Sequence, residues 1–107
     1  MPGVSRWSVY MVRCGDGSLY TGIAIDVKRR LAEHSRGGAR CARYLRRRGP
    51  LELVLTRPVG AKGLALGVEA RIKMLPKAGK ESLLRDSAGL NPVIAAARRA
   101  ARNRRRA

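Results

Sequence analysis

The sequence predicts an α/β (α+β) fold, in which a small three-stranded antiparallel sheet is flanked by helices. The first observation behind this prediction is the order of the segments, because strand, strand, helix, helix, strand, helix and helix patterns follow one another without an internal repeat. The second is the size of the chain. Its 107 residues, 45% of them hydrophobic, suffice for one core and make wholesale disorder implausible.

A β-hairpin is predicted near the start of the chain. Two segments rich in aromatic and β-branched residues, 7–14 and 18–23, are separated by Gly15-Asp16-Gly17. A three-residue loop would make Tyr10 and Tyr20 diagonal neighbours on one face. The other face would collect Trp7, Val9, Met11, Leu19 and Ile23. A two-residue turn would scatter the large apolar side chains over both faces, so we predict the longer loop.

A helix is predicted next, from an N-cap at Asp26 to about Ser35, before Gly37-Gly38. Its helical periodicity gathers four residues, two of them ionisable, in one inward arc: Val27, Arg30, Leu31 and His34. A second short helix is predicted over about Ala39 to Arg48. It carries five arginines, whose simplest interpretation is a solvated face: Arg40, Arg43, Arg46, Arg47 and Arg48.

The second half of the chain begins with a strand and continues as helices. Gly49-Pro50 ends the arginine-rich segment, and Leu51 to Thr56 alternates like a third strand. A helix over Ala61 to Leu75 has an apolar stripe with Glu69 on its flank, and Pro76 opens a further helix that runs through Arg85. The stripe consists of Leu64, Val68, Ile72 and Leu75.

The last twenty residues contain no acid and are rich in arginine. The chain therefore divides into a domain over residues 1–87 and a basic arm over residues 88–107. The arginines of this arm are Arg98, Arg99, Arg102, Arg104, Arg105 and Arg106. An Ala-rich helix over Val93 to Arg102, capped at Asn91-Pro92, and a tail that orders only on nucleic acid fit equally well. We expect truncation after Leu90 to weaken nucleic acid binding and to leave the fold intact.

The net charge points to an acidic partner. The chain has 24 Lys and Arg against 7 Asp and Glu, a formal charge of +17, and a compact body this positive favours phosphate-bearing partners. Nucleic acid, DNA in particular, is the expected partner, although arginine enrichment of a solvated surface would give the same count. No stretch approaches the ~20 apolar residues of a membrane span and no signal-peptide core follows Met1. We therefore expect a cytoplasmic protein with no membrane partner.

Several common sites are missing from the sequence. It has no phosphate-binding loop, no dinucleotide-binding glycine pattern after a strand and no metalloprotease histidine pair. Cys14, Cys41 and the single histidine, His34, do not have the spacing of a zinc site. We expect the two cysteines to be small core residues, because a disulfide is disfavoured in the cytoplasm.

Four motifs in order resemble the GIY-YIG nuclease family. Ser8-Val9-Tyr10 stands ten residues before Tyr20-Thr21-Gly22, and the segment 26–31 with His34 follows. Ala65-Leu66-Gly67-Val68-Glu69 lies where that family keeps its metal-binding glutamate. The resemblance runs from Trp7 to about Arg85, is strongest to small stand-alone bacterial members, and extends to the catalytic domain of the excision-repair incision nuclease.

The resemblance implies a role for each of five residues. Glu69 would hold one divalent cation, Mg²⁺ or Mn²⁺, which would stabilise charge on the scissile phosphate. Arg30 would grip a phosphate oxygen. Tyr10 would activate the attacking water, and Tyr20 and His34 would complete the hydrogen-bond network. An unperturbed phenol is a poor base at neutral pH, so this role requires neighbouring cations that favour phenolate.

Each of these residues also has a structural interpretation when taken alone. The tyrosines could be strand packing residues, and His34 could be a core histidine. Arg30 could extend along an apolar surface, and Glu69 could pair with Lys73 one helical turn later. Their joint occurrence in the order of the family favours the nuclease site.

The sequence departs from the family pattern at three places. Ser8 and Val9 replace glycine and isoleucine in the first tripeptide, and Thr21 replaces isoleucine in the second. Many members also carry an asparagine after the glutamate helix, for which Asn91 and Asn103 are the available candidates. Asn91 lies farther along the chain than expected and could instead cap a helix before Pro92.

The resemblance and the charge together predict a metal-dependent endonuclease that hydrolyses DNA phosphodiester bonds. It would be structure-directed or weakly specific, would act in DNA repair or processing, and would be a monomer or weak homodimer. The alternative is a catalytically inactive protein on the same fold that binds DNA or RNA. In both cases the arginines of the second helix and of the arm would hold the phosphate backbone: Arg40, Arg43, Arg46, Arg47, Arg48, Arg98, Arg99 and Arg102.

Overall fold

A three-stranded antiparallel sheet with four helices forms the fold, as predicted. The structure, a computed structural model, describes residues 6–106 and the side chains of residues 6–104. Residues 1–5 of the predicted domain and Ala107, with the side chains of Arg105 and Arg106, lie outside this part. The elements are β1 (Trp7–Arg13), β2 (Leu19–Ala24), α1 (Val27–Arg36), β3 (Glu52–Gly60), α2 (Lys62–Lys73), α3 (Lys77–Arg85) and α4 (Leu90–Arg106).

The hairpin has the predicted register. Arg13 pairs with Leu19, and the Cys14 N–H donates to the Ser18 carbonyl over 2.9 Å, so the loop contains three residues. Gly17 closes it with a φ of 86°, a left-handed conformation that suits glycine. Strand β1 lies at the centre of the sheet, in the order β2-β1-β3, and it therefore presents side chains to both covered faces.

Helix α1 begins and ends where the sequence predicts. The Asp26 carboxylate accepts from the Arg29 N–H over 3.0 Å, and Gly37 ends the helix with a φ of 72°. On the inward arc, Val27 and Leu31 pack against the sheet face of Tyr10 and Val12, and His34 is buried. The cap and the apolar stripe thus fix which side of α1 meets the sheet.

The predicted second helix is wrong. Between Ala39 and Arg48 the chain forms only a short 3₁₀ turn over Arg43–Leu45, and Arg47 has a left-handed φ of 62°. Five like charges in ten residues disfavour a continuous helix. The buried side chains of Cys41 and Leu45 instead draw the segment onto Cys14 as an irregular loop.

The remaining elements follow the predicted order with shifted ends. Strand β3 runs to Gly60 rather than Thr56, and its Pro58 is tolerated because β3 is an edge strand. Helix α2 is shorter than predicted at both ends, and α3 follows Pro76 as predicted. Both cysteines are free and buried, as expected.

The C-terminal arm is an ordered helix over most of its length. Helix α4 begins at Leu90, three residues before the predicted start, and Leu90, Ile94 and Ala97 are buried in the main core. That core lies between α2, α3 and α4 and the sheet face of Val9 and Met11. The division of the chain at residue 87 stays a prediction, but the first half of α4 packs with the domain.

Helices of the described part were also compared with the requirements of a membrane span. Within residues 6–106, no helix is long and apolar enough to cross a bilayer.

Truncation of α4 tests its contribution to the core, and the structure revises the expectation that removal after Leu90 is harmless. A chain ending at Leu90 loses Ile94 and Ala97 and should unfold at least about 2–5 kcal/mol more easily, the usual cost of emptying such a buried site. A chain ending at Asn103 keeps the buried residues of α4 and should match the full chain. Urea unfolding followed by circular dichroism measures both. Equal stability of the two truncated chains would contradict this role.

Candidate active site

Tyr10 lies at the centre of the candidate site, on the sheet face that α1 covers. It pairs with Gly22 across β1 and β2, and its ring lies over that glycine. A Cβ atom at position 22 would lie only 2.6 Å from the Tyr10 hydroxyl oxygen. The absence of a side chain at Gly22 therefore lets the phenol cross β2 toward the free edge of the sheet.

His34 holds the Tyr10 hydroxyl and is itself held by a backbone amide. The Tyr10 oxygen lies 2.9 Å from His34 Nε2, and the Ala42 N–H donates to His34 Nδ1 over 3.1 Å. Both ring nitrogens are therefore occupied. The irregular arginine-rich loop reaches the site through this amide and not through a side chain.

The amide of Ala42 determines which proton His34 carries. A backbone N–H can only donate, so Nδ1 must accept, and a neutral imidazole then bears its proton on Nε2. The Nε2–H consequently donates to the Tyr10 oxygen. The hydroxyl hydrogen of Tyr10 is left free to point away from His34.

Burial and nearby charges shift the pKa values of Tyr10 and His34 so that both side chains are neutral. Burial lowers the pKa of His34, and the positive charge of Arg30 lowers it further. Burial raises the pKa of Tyr10 well above the usual phenol range, the nearby Tyr20 hydroxyl adds to the rise, Arg30 opposes it and Glu69 increases it. Tyr10 is thus a neutral phenol in the free protein.

Tyr20 joins the cluster as an aromatic neighbour. Its ring centroid lies 6.3 Å from that of Tyr10 and 5.7 Å from the His34 ring, in an edge-on arrangement. On its other side the ring of Tyr44 stacks at 5.9 Å. Arg48 covers the Tyr44 ring at 4.3 Å and is anchored to Asp16 over 2.6 Å.

Arg30 is fixed by acceptors on two elements. Its guanidinium donates to Glu33 over 3.0 Å and to the backbone carbonyl of Arg40 over 2.5 Å. About a third of the Arg30 side chain is exposed. The group thus stands beside Tyr10 and His34 with part of its surface available to an anion.

Glu69 approaches from α2, which contacts β2. Its carboxylate is mostly buried and pairs with Lys73 at 3.4 Å. Hard carboxylate oxygen suits Mg²⁺, which usually takes one or two carboxylates and completes its shell with phosphate oxygens and water. Residues 6–104 contain no cluster of three or more His, Cys, Asp or Glu able to hold a metal. The donor set therefore fits a cation that would share its ligands with substrate, and such a cation would compete with Lys73 for the Glu69 carboxylate.

The other residues implicated by the sequence lie outside this cluster. Asn91 accepts from Arg57 of β3 over 2.7 Å, on the strand farthest from β2, so it does not supply the family asparagine. Nor does it act as the predicted cap, because α4 already begins at Leu90. Arg40 pairs with Glu33 at 3.6 Å, and Arg48 is tied to Tyr44 and Asp16. The remaining candidate arginines are exposed: Arg43, Arg46, Arg47, Arg98, Arg99 and Arg102.

Two features of the site were not predicted from the sequence, whereas the helix pair of Glu69 with Lys73 was predicted and is confirmed. Tyr44 could have been suspected, since an aromatic residue within a basic segment is typical of nucleic acid contacts. The amide of Ala42 has no signal in the sequence, because every residue except proline carries the same donor.

Proteins of known sequence resemble this chain over most of its length. A family model for the GIY-YIG catalytic domain matches residues 6–82. A UPF0213 protein of Vibrio cholerae is 49% identical over 90 residues, which cover 83% of this chain and 87% of that protein. The UPF0213 protein YhbQ of Escherichia coli is 42% identical over 91 residues, covering 85% and 89%.

A solved structure is also similar. The solution NMR structure of a UPF0213 protein from Bacillus halodurans is 40% identical, covers 75% of this chain and 83% of its own, and aligns with a TM-score of 0.49. Because the family model matches well over half of the residues and the two sequence relatives match along most of their length, this chain belongs to the GIY-YIG catalytic domain family.

Proposed function

We propose that this chain is a divalent-metal-dependent endonuclease that hydrolyses phosphodiester bonds in DNA. The observation that carries the proposal is that three elements bring four side chains together near β2. Tyr10 comes from β1, Arg30 and His34 from α1, and Glu69 from α2. A proton-transfer group, a phosphate-binding cation and a hard metal ligand are the parts that phosphodiester hydrolysis requires.

Tyr10 is the proposed proton acceptor for the attacking water. His34 donates to its oxygen and Arg30 stands beside it, so both groups favour the phenolate. The charge of Glu69 opposes ionisation of Tyr10. Glu69 would hold the divalent cation, whose positive charge would offset this effect and would stabilise charge on the phosphate and the leaving oxygen. Once the Tyr10 hydroxyl proton has passed to solvent, the phenolate takes a proton from the attacking water. The water oxygen bonds to phosphorus as the P–O bond to the leaving group breaks, and the leaving oxygen takes up a proton from solvent.

Arg30 is the proposed phosphate ligand in this reaction. Its guanidinium remains charged at every working pH and presents several donors in a fixed plane, which suits non-bridging phosphate oxygens. The contacts to Glu33 and to the Arg40 carbonyl hold it against Tyr10. Arg30 would therefore bind the substrate without first having to be ordered.

Exposed arginines would hold the rest of the substrate in this proposal. Contacts to phosphates carry no base sequence, so we propose a structure-directed or weakly specific enzyme that works in DNA repair or processing in the cytoplasm. Arg48 is not among these arginines, because it pairs with Asp16 at 2.6 Å and covers the Tyr44 ring. Arg40 also has an acidic partner, Glu33, but the distance is 3.6 Å and the Arg40 side chain is largely exposed. The arginines proposed for backbone contacts are Arg40, Arg43, Arg46, Arg47, Arg98, Arg99 and Arg102.

A binding protein without catalysis is the second candidate function. The raised pKa of Tyr10 and the ion pair of Glu69 with Lys73 favour it, since both describe a resting site in which no group is ready to accept a proton. Affinity measurements do not separate the two functions, because either protein would lose affinity as salt increases.

Cleavage separates them. With Mg²⁺, the wild-type chain should nick supercoiled, single-stranded or branched DNA, and EDTA should abolish nicking. Glu69→Gln keeps the shape of the side chain but removes the metal-binding charge, and it should reduce the rate by at least about two orders of magnitude. Glu52→Gln, an exposed carboxylate on β3, is the matched control and should cleave normally. No nicking by the wild type, or equal nicking by Glu69→Gln, would overturn the enzyme proposal.

The close contact at Gly22 gives an independent test of Tyr10. In Gly22→Ala the new methyl group would lie 2.6 Å from the Tyr10 oxygen and 2.7 Å from its Cζ, so the phenol must move. A displacement of about 1 Å can reduce a rate by about 10²-fold, whereas the extended backbone of β2 accepts alanine. Nicking rates and thermal unfolding distinguish a displaced phenol from a lost fold. Gly38→Ala, with open space around its Cβ, is the control. Wild-type nicking by Gly22→Ala would show that Tyr10 is not needed in this position.

The neutral state of His34 predicts how stability depends on pH. The unfolded chain has an ordinary histidine pKa near 6.5 and the folded chain a lower one, so the unfolded state binds more protons below about pH 6.5. The free energy of unfolding should therefore decrease between about pH 7 and about pH 5. His34 is the only histidine in the chain, and His34→Gln can keep both hydrogen bonds without titrating. Urea unfolding should show a flatter pH profile for His34→Gln, and identical profiles would contradict a lowered pKa.

A further inference from the structure

A groove runs along the free edge of β2, next to the candidate active site. Its volume is about 330 Å³, at the lower end of ligand-binding pockets. Residues of β2, the arginine-rich loop, α2 and α3 line it: Leu19, Tyr20, Thr21, Tyr44, Lys73 and Lys80. Tyr20 belongs to both the groove and the active-site cluster, so the two are adjacent.

One wall of the groove is aromatic and rigid. Tyr44 is 44% exposed, so part of its ring is accessible to a ligand. It stacks on Tyr20 at an interplanar angle of 28°, and Arg48 and Asp16 fix its far side. The exposed edge of Tyr44 is therefore held in place and loses little conformational freedom when it contacts a ligand.

Two lysines, Lys73 of α2 and Lys80 of α3, also line the groove. Lys80 makes no ion pair or hydrogen bond among residues 6–104. Its acidic neighbour in sequence, Glu81, instead binds both guanidinium nitrogens of Arg13. Together with the bond from Lys77 to the Gly17 carbonyl, this fixes α3 against the hairpin and presents Lys80 to the groove.

Lys73 connects the groove with the active-site cluster. Its ammonium group lines the groove and also pairs with Glu69 at 3.4 Å. A phosphate bound by Lys73 and Lys80 would therefore lie next to the site proposed for the scissile phosphate, which Glu69 and Arg30 border. The groove thus combines two lysines with the aromatic rings of Tyr20 and Tyr44. The side chain of Lys73 links the groove to Glu69.

We propose that this groove binds the nucleotide adjacent to the scissile phosphate, with its phosphate between Lys73 and Lys80 and its sugar and base against Tyr20 and Tyr44. This inference rests on the proposed nuclease function, to which it adds a subsite. Phosphate and aromatic contacts are both tolerant of sequence. The subsite therefore accepts any base and orients the backbone.

Binding without cleavage tests the subsite. The probe is a short fluorescein-labelled DNA strand in EDTA, and its anisotropy is followed with full-length protein over a series of salt concentrations. Lys80→Ala should weaken binding and reduce the slope of log affinity against log salt by about one, the value for one lost phosphate contact. Tyr44→Ala should weaken binding by about tenfold, and Tyr44→Phe should restore it, because the aromatic wall is kept.

Lys62→Ala is the control for Lys80→Ala, because it also removes one positive charge but at a site outside the groove. Lys62 begins α2, about 16 Å from Lys73 at 1.5 Å per residue, and lies over Trp7 at 5.1 Å, away from the groove. It should change affinity and salt slope less than Lys80→Ala does. Equal effects of the two lysine substitutions would show a general charge effect and overturn the subsite, as would wild-type binding by Lys80→Ala.

The binding test of the groove and the cleavage test of the enzyme proposal can give different answers. Cleavage that depends on Glu69, combined with wild-type binding by Lys80→Ala and Tyr44→Ala, would leave the nuclease function standing and overturn the subsite. Loss of binding in both variants, when no DNA is cleaved under any condition, would support the groove as a nucleotide site on a binding protein. Lys80→Ala decides between these results, since Lys80 has no partner in residues 6–104 whose loss could unfold the chain.

Discussion

The passage of the Tyr10 ring over Gly22 is the contact on which the arrangement of the candidate site depends. The three-residue loop sets the register that places these residues opposite each other, and only a residue without a side chain leaves room for the phenol. A register shifted by one residue would place Tyr10 on the other sheet face, away from α1. The hairpin loop, far from any chemistry, thus determines where the phenol meets His34 and Arg30.

The buried hydrogen bond between Tyr10 and His34 also determines the conformation of the loop beside it. His34 and Tyr10 are almost fully buried, and every polar atom they bury has a partner, with Ala42 supplying the last one. Since an unsatisfied ring nitrogen would cost about 1–3 kcal/mol, the arginine-rich loop is held in its irregular path from the inside. This requirement acts together with the charge repulsion among the five arginines, which already disfavours a helix in that segment.

Much of the fold could be predicted from the sequence because its signals are local. The loop of three residues, the cap at Asp26, the stop at Gly37 and the break at Pro76 each act within a few residues. The arginine-rich segment was predicted wrongly because Cys41, Leu45 and the Ala42 amide take their positions from contacts with residues distant in the sequence. The convergence of Tyr10, Tyr20, Arg30, His34 and Glu69 was expected from motif order. Lys73 both lines the groove and pairs with Glu69. This depends on α2 and α3 lying together at the edge of β2, and the spacing of residues in the sequence does not predict that arrangement.

The ion pair between Glu69 and Lys73 makes the proposed metal position an ion-exchange site. The Glu69 carboxylate already has a counter-ion, Lys73, on its own helix. Its negative charge is therefore balanced in the absence of a divalent cation. A metal that binds there competes with an ammonium group whose local concentration is fixed by the helix, which weakens its affinity. A cation held by Glu69 would leave the Lys73 ammonium group available to a substrate phosphate. Metal and substrate would then load and leave as one unit, and the resting protein would sequester little free cation.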